Sequence, residues 1–95
     1  MDTISTLTEL ESQLQTLFNM DLTDLMDELL LDYEVQLLRA WKSNDPYVMT
    51  RSIEINERLN ELEELDTITS DQFEEKVFLI TLSGSFDAVM KFEFD

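Results

Sequence analysis

Apolar residues recur three and four positions apart through the first two thirds of the chain, which is the period of an amphipathic helix. The pattern covers residues 4–18, 22–42 and 46–65, with short polar breaks between them. We therefore expect three amphipathic helices at about these positions. Their predicted inner residues are Ile4, Leu7, Leu10, Leu14, Leu17 and Phe18, then Leu22, Met26, Leu29, Leu30, Tyr33, Leu37, Ala40 and Trp41, and then Val48, Ser52, Ile55, Leu59 and Leu62.

The two breaks between the predicted helices carry local signals of their own. Residues 19–21, Asn-Met-Asp, have the composition of a tight turn, and Asp21 is a suitable N-cap for the second helix. In the second break, Pro46 is preferred at a first helical position, and Asp45 before it is a good cap. Because both breaks are short, consecutive helices should lie side by side and antiparallel.

The last twenty residues change period. Apolar residues occupy almost every second position from Phe86 to Phe94, as in a half-buried strand. A Ser-Gly-Ser loop at 83–85 would place the apolar residues of both flanking segments on one face. We therefore predict a C-terminal β-hairpin with strands at about 76–82 and 86–94.

The alternative for this region is a fourth helix over residues 71–82, capped by Ser70. The hairpin gives an α+β fold, whereas the fourth helix gives an all-α fold. In either case a chain of 95 residues that is 43% hydrophobic suggests a single domain, residues 1–95, with a real core. One glycine and one proline leave few residues suited to irregular loops.

The net charge of −16 is large for this length, and it is unevenly distributed. Residues 1–38 contain nine acidic side chains and no basic one, whereas residues 39–60 have a small net positive charge. Residues 61–95 are again strongly acidic. A net charge of about 2 to 8 keeps a small domain soluble, and further charge destabilises the compact state by repulsion. We therefore expect a positively charged partner.

Acidic residues form rows on the second and third predicted helices. Carboxylates four residues apart repeat about every 6 Å along a helix. Phosphates of one DNA strand advance about 3.4 Å along the axis at each step, and their helical path makes the true separation longer, so the two spacings are comparable. If these helices are antiparallel neighbours, both rows lie towards one end of the molecule. The candidate partner-binding residues are Asp21, Asp24, Glu28 and Asp32 on the second helix and Glu54, Glu57, Glu61 and Glu64 on the third.

The composition argues against most kinds of catalytic or cofactor site. Cysteine and histidine are absent, so zinc, iron–sulfur and haem sites lack their usual ligands. Serine and cysteine triads lack their imidazole. Carboxylate pairs are abundant, but the sequence selects none of them for acid–base chemistry. We expect no cofactor, no metal and no enzymatic activity.

Six lysines and arginines are few for neutralising phosphates, so direct binding to nucleic acid or to an anionic membrane is disfavoured. No apolar run has the length of a membrane span, and the N-terminus lacks the pattern of a signal peptide. We expect a cytoplasmic protein, located in the host cytoplasm if it is phage-encoded.

In size, acidity and lack of motifs the chain resembles the nucleic-acid-mimicking proteins of bacteriophages and mobile elements. Anti-CRISPR proteins, restriction decoys and DNA-glycosylase inhibitors belong to this class. The resemblance is one of composition over the whole chain, and it transfers no residue role. It implies an acidic inhibitor that binds and blocks the basic nucleic-acid-binding surface of a partner protein.

Two other functions fit the same residues. An immunity protein or antitoxin that neutralises a basic toxin would use the same electrostatic attraction. A dimeric adaptor or structural module would instead associate as a homodimer through apolar residues that lie off the main inner faces. These are Leu31, Val35 and Leu38 on the second helix and Val77, Leu79 and Val89 on the second face of the hairpin.

Overall fold

The structure, a computed structural model, describes residues 3–91 and contains four helices in that range. They are α1 (Thr3–Asn19), α2 (Thr23–Lys42), α3 (Pro46–Glu63) and α4 (Ser70–Met90). The first three lie within two residues of the predicted boundaries. No strand occurs between residues 3 and 91, and no helix there is long and apolar enough to cross a membrane. This part of the chain is therefore all-α.

The predicted hairpin over 76–82 and 86–94 is wrong, and so is the α+β fold class that depended on it. Residues 70–90 form one continuous helix, which extends the all-α alternative of 71–82 at its C-terminal side. Residues 92–94 of the predicted second strand lie outside the described residues. Gly84 lies within α4 and does not have the positive φ that a three-residue hairpin loop needs at its left-handed position.

The alternating pattern misled because α4 is apolar on two opposite sides. Ile80 alternates in sequence with the buried residues Phe78 and Leu82, yet Ile80 is 52% exposed. The burial pattern therefore follows the helical period rather than a period of two. The buried residues of α4 are Phe78, Leu79, Leu82, Ser85, Phe86 and Val89.

Local sequence explains where α3 and α4 begin. Asp45 accepts a hydrogen bond from the backbone N–H of Tyr47 at 3.0 Å, which confirms the predicted cap. Thr69, not Ser70, caps α4. The Thr69 hydroxyl accepts a hydrogen bond from the Gln72 N–H, and the Gln72 side chain accepts one from the Thr69 N–H. This reciprocal pair is a capping box.

The start of α2 differs from the prediction. Asp21 has a left-handed φ of 60° and lies in the turn, so it is not the N-cap. Leu22 occupies the position before the helix, and no side chain caps it. Asp24 in the first turn still places a negative charge where the helix dipole favours one.

Contacts between side chains show how the helices are arranged. Tyr33 on α2 contacts Glu11 on α1, so these two helices run antiparallel on either side of their turn. Arg58 on α3 bonds to Glu75 on α4, which gives the same arrangement for the second pair. The fold therefore consists of two antiparallel helix pairs joined by the short turn after Lys42.

The two pairs meet through α2 and α4. The ring of Phe18, at the end of α1, lies 5.5 Å from that of Phe78, in the first half of α4. Farther along, Tyr33 and Phe86 lie 6.1 Å apart edge to face. Because the end of α1 adjoins the start of α2, these two contacts show that α2 and α4 run in the same direction. The buried core comprises Leu7, Leu14, Met26, Tyr33, Leu37, Ala40, Val48, Ile55, Leu62, Phe78, Leu79, Leu82, Phe86 and Val89.

Replacing Leu82 by alanine should lower the free energy of unfolding by about 2–5 kcal/mol, because a fully buried leucine leaves a cavity. Ile80→Ala should change it by only about 0.5 kcal/mol, as is usual for surface positions. Urea denaturation at low micromolar protein concentration, followed by circular dichroism, measures both. Equal losses would instead favour a hairpin, in which residues 80 and 82 share one face.

Candidate interaction surface

The acidic row of α2 lies on the side of the helix away from the core. Asp24, Glu28 and Asp32 follow one another at intervals of four residues, and all are exposed. Asp21, also exposed, extends the row into the preceding turn. The carboxylates on the helix therefore repeat about every 6 Å along its axis. The buried residues on the opposite side are Met26, Tyr33, Leu37 and Ala40.

No cation forms a salt bridge with this row within residues 3–91. The salt bridges in that range are made by Arg51 and Arg58 of α3 with glutamates of α1, α3 and α4. Like charges four residues apart repel each other and weaken a helix slightly. The α2 row is therefore a surface on which a cation would relieve an existing repulsion.

The acidic row of α3 has a different environment, although all four of its predicted members are also exposed. Glu54 lies 3.7 Å from Arg51, and Glu61 accepts a hydrogen bond from Arg58 at 3.0 Å. Half of this row is therefore partly neutralised by its own helix. α3 packs chiefly on α4 and only lightly on α2.

Arg58 also connects α3 with α4. Its Nε and Nη2 atoms donate to the two carboxylate oxygens of Glu75 at 2.8 and 2.9 Å. This two-point geometry is the strongest form of an arginine–carboxylate pair. The hydrogen bonds from Arg58 lower the pKa of Glu75. Glu75 therefore belongs to an interhelical pair and is not an isolated surface acid.

One acidic residue lies among the helices. The Glu11 carboxylate accepts hydrogen bonds from the hydroxyls of Tyr33 at 3.0 Å and Tyr47 at 2.8 Å. Arg51 donates to it through Nε and, at 2.6 Å, through Nη2. The Glu11 side chain is only 13% exposed. Four donor groups surround this carboxylate, so its charge is compensated and it links α1, α2 and α3.

Neither Glu11 nor Arg51 is among the residues predicted to have a role, although the sequence contains a signal for Glu11. Glu11 lies four residues after Leu7 and three before Leu14, which places it within the apolar face of α1. An acid at a core position requires a buried partner. The partners could not be identified in advance because Tyr47 and Arg51 are 36 and 40 residues away.

A groove of about 560 Å³ runs between α1 and α3 beside this network. Phe78 and Leu79 of α4 contribute apolar lining, while polar side chains of all three helices contribute the rest. Its carboxylates are already engaged, since Glu11 and Glu54 contact Arg51 and Glu75 contacts Arg58. Within residues 3–91 no group of three potential metal-ligating side chains occurs. The other polar lining residues are Thr8, Ser12, Gln15 and Tyr47.

The apolar residues proposed from the sequence for self-association differ in exposure. Leu79 and Val89 are buried in the core, Leu38 is partly buried against it, and Leu31, Val35 and Val77 are exposed. Between α2 and α4 lies a second, apolar groove of about 280 Å³. It is lined by Leu31, Glu34, Val35, Leu38, Ala88 and Val89.

Comparison of the chain with protein-family models, with curated proteins and with solved structures finds no match.

Glu11→Ala should lower the free energy of unfolding by about 2–4 kcal/mol, because it leaves a partly buried arginine and two tyrosine hydroxyls without their acceptor. Glu9→Ala, at an exposed position of the same helix, should change it by no more than about 0.5 kcal/mol. Urea denaturation near neutral pH compares the two. Similar effects would mean that the Glu11 network does not stabilise the fold.

The stability should fall as the pH rises above 10. Burial, together with the nearby Glu11 charge, raises the pKa of Tyr33 and of Tyr47 above the ordinary tyrosine value of 10.0. As the pH rises, the unfolded chain therefore loses the tyrosine protons before the folded chain does. The two protonated tyrosines contribute fully to stability below pH 10, and this contribution is lost as the pH rises further. A Tyr33→Phe, Tyr47→Phe double variant should show a shallower decline in denaturation experiments. An equally steep decline would contradict this assignment, since the chain has no other tyrosine.

Proposed function

We propose that this protein is an inhibitor that binds and blocks the basic nucleic-acid-binding surface of a partner protein. The observation that carries the proposal is the exposed α2 row, Asp21, Asp24, Glu28 and Asp32, which forms no salt bridge within the described residues. The net charge of −16 supports it, because the repulsion that this charge causes is reduced when a cationic surface binds.

The dimensions of the row suit a protein surface that binds a phosphate backbone. From Asp24 to Asp32 the row extends roughly 12 Å along the helix axis, which is about the axial advance of three to four phosphate steps on one DNA strand. Lysines and arginines arranged along such a backbone could contact several of these carboxylates at once. The exposed Glu57 and Glu64 of α3 add acidic groups towards the same end of the bundle.

The rigidity of α2 favours this mode of binding. Met26, Tyr33 and Leu37 are buried on the inner side of the helix and fix the outward direction of the acidic row. The backbone therefore loses little conformational freedom when a partner binds, which lowers the entropic cost of association. The uncompensated charge also accelerates encounter with a cationic surface, and this effect weakens as salt rises.

The proposal predicts competition with nucleic acid. The immobilised full chain would first be used to capture its partner from a host lysate at low salt, and the partner would be identified by mass spectrometry. The chain should then displace labelled DNA or RNA from the isolated partner, with an affinity that falls steeply as salt rises. Binding that leaves the nucleic acid in place, or that does not respond to salt, would contradict the proposal.

Two variants with equal changes in charge would locate the surface. Asp24→Asn, Glu28→Gln, Asp32→Asn should weaken competition by about tenfold or more, a loss of about 1.4 kcal/mol or more in binding. Glu54→Gln, Glu57→Gln, Glu61→Gln removes the same charge from α3 and should have a smaller effect, because Arg51 and Arg58 already contact two of these residues. A larger loss for the α3 variant would assign binding to the other row.

A further inference from the structure

The outer side of α4 carries an apolar row that no other described residue covers. Phe73, Val77 and Ile80 are 56%, 37% and 52% exposed. Together with Gly84 they are separated by four, three and four residues, which is the spacing of a seam between two packed helices. The apolar surface continues through Ala88 into the groove formed with Leu31 and Val35 of α2.

Gly84 is the one glycine of the chain, and it lies in the interior of α4. Glycine weakens a helix interior relative to alanine. Nothing within the described chain requires it, since an added Cβ would meet no atom within 4 Å and the φ angle is not positive. A missing side chain on an exposed apolar row does, however, allow another helix to approach closely.

The charge of this surface distinguishes it from the rest of the chain. On α4 the charged residues in or beside the row are Glu74, Lys76, Asp87 and Lys91, whose net charge is zero. Glu34 lines the adjoining groove, where it accepts a hydrogen bond from the Ser85 hydroxyl. Glu75, on the inner side of the helix, is paired with Arg58. In a chain of net charge −16, this is a surface on which two copies can meet with little local repulsion.

We propose that a second copy of this chain covers the row, with the two α4 helices packed antiparallel about a two-fold axis between Val77 and Ile80. Val77 of one copy then contacts Ile80 of the other copy, and Phe73 of one copy fills the space above Gly84 of the other copy. Each contact occurs twice, as two-fold symmetry requires. In this register Asp87 lies near the N-terminus of the other α4, where the helix dipole favours an acid.

Sedimentation velocity of the full chain, from low micromolar to millimolar concentration, tests the proposal. The mass should double with concentration, and high salt should strengthen the dimer because it screens the repulsion between two acidic chains. Salt should have the opposite effect on binding to a cationic partner, so the two proposals can fail separately. A monomer over the whole range at both salt concentrations would overturn the dimer.

Matched variants test the assigned surface. Ile80→Glu should weaken dimerisation by about tenfold or more, as expected for a central interface residue. Ile53→Glu is the control, because Ile53 is 49% exposed on α3 and away from the row. If Ile53→Glu disrupts the dimer as strongly, or Ile80→Glu leaves it intact, the assignment is wrong.

Gly84→Gln separates packing between copies from stability of the fold. Glutamine favours a helix more than glycine does, so this change should raise the thermal midpoint of the Ile80→Glu monomer. In the otherwise unchanged chain the longer side chain should meet Phe73 of the other copy and abolish the dimer. A dimer that tolerates Gly84→Gln would overturn the proposed register and the close approach of the two α4 helices.

Discussion

Electrostatic repulsion within a chain of net charge −16 is the constraint on which the rest of this structure depends. Apolar burial between two antiparallel helix pairs has to outweigh that repulsion, and the contacts of Phe18 with Phe78 and of Tyr33 with Phe86 lie where the pairs meet. The helices can carry so many acids because most of these residues lie on outer faces, where water screens their interaction. The fold thus separates charge from the core but does not eliminate the repulsion at the surface.

Glu11 is the exception to this separation, and it shows how the chain accommodates an acid between helices. The two tyrosines and Arg51 supply enough donors to compensate the carboxylate, and they come from α2 and α3. This network links α1 to α3 across the groove between them. Arg51 and Arg58 therefore form internal pairs, and neither of them forms a salt bridge with the α2 row.

The two proposed surfaces differ in the force that would drive association. The α2 row is long, exposed and negative, so binding there depends on cations and weakens with salt. The outer row of α4 is apolar and locally neutral, so binding there depends on burial and strengthens when salt screens the overall charge. One small domain can present both surfaces because α2 and α4 each bury one side in the core and expose the other side to solvent.

The spacing of apolar residues by itself determined α1, α2 and α3, because the main apolar face of each repeats with the helical period and a boundary signal such as Asp45–Pro46 separates them. The pattern also placed the candidate acids away from those faces, and all eight are exposed. It could not determine α4, because a helix that is apolar on two sides has no dominant period. Only the tertiary structure decided which side of α4 is buried, which arginines neutralise the α3 row and which residues surround Glu11. These outcomes depend on contacts between residues far apart in the chain, such as Glu11 with Arg51, which no local pattern encodes.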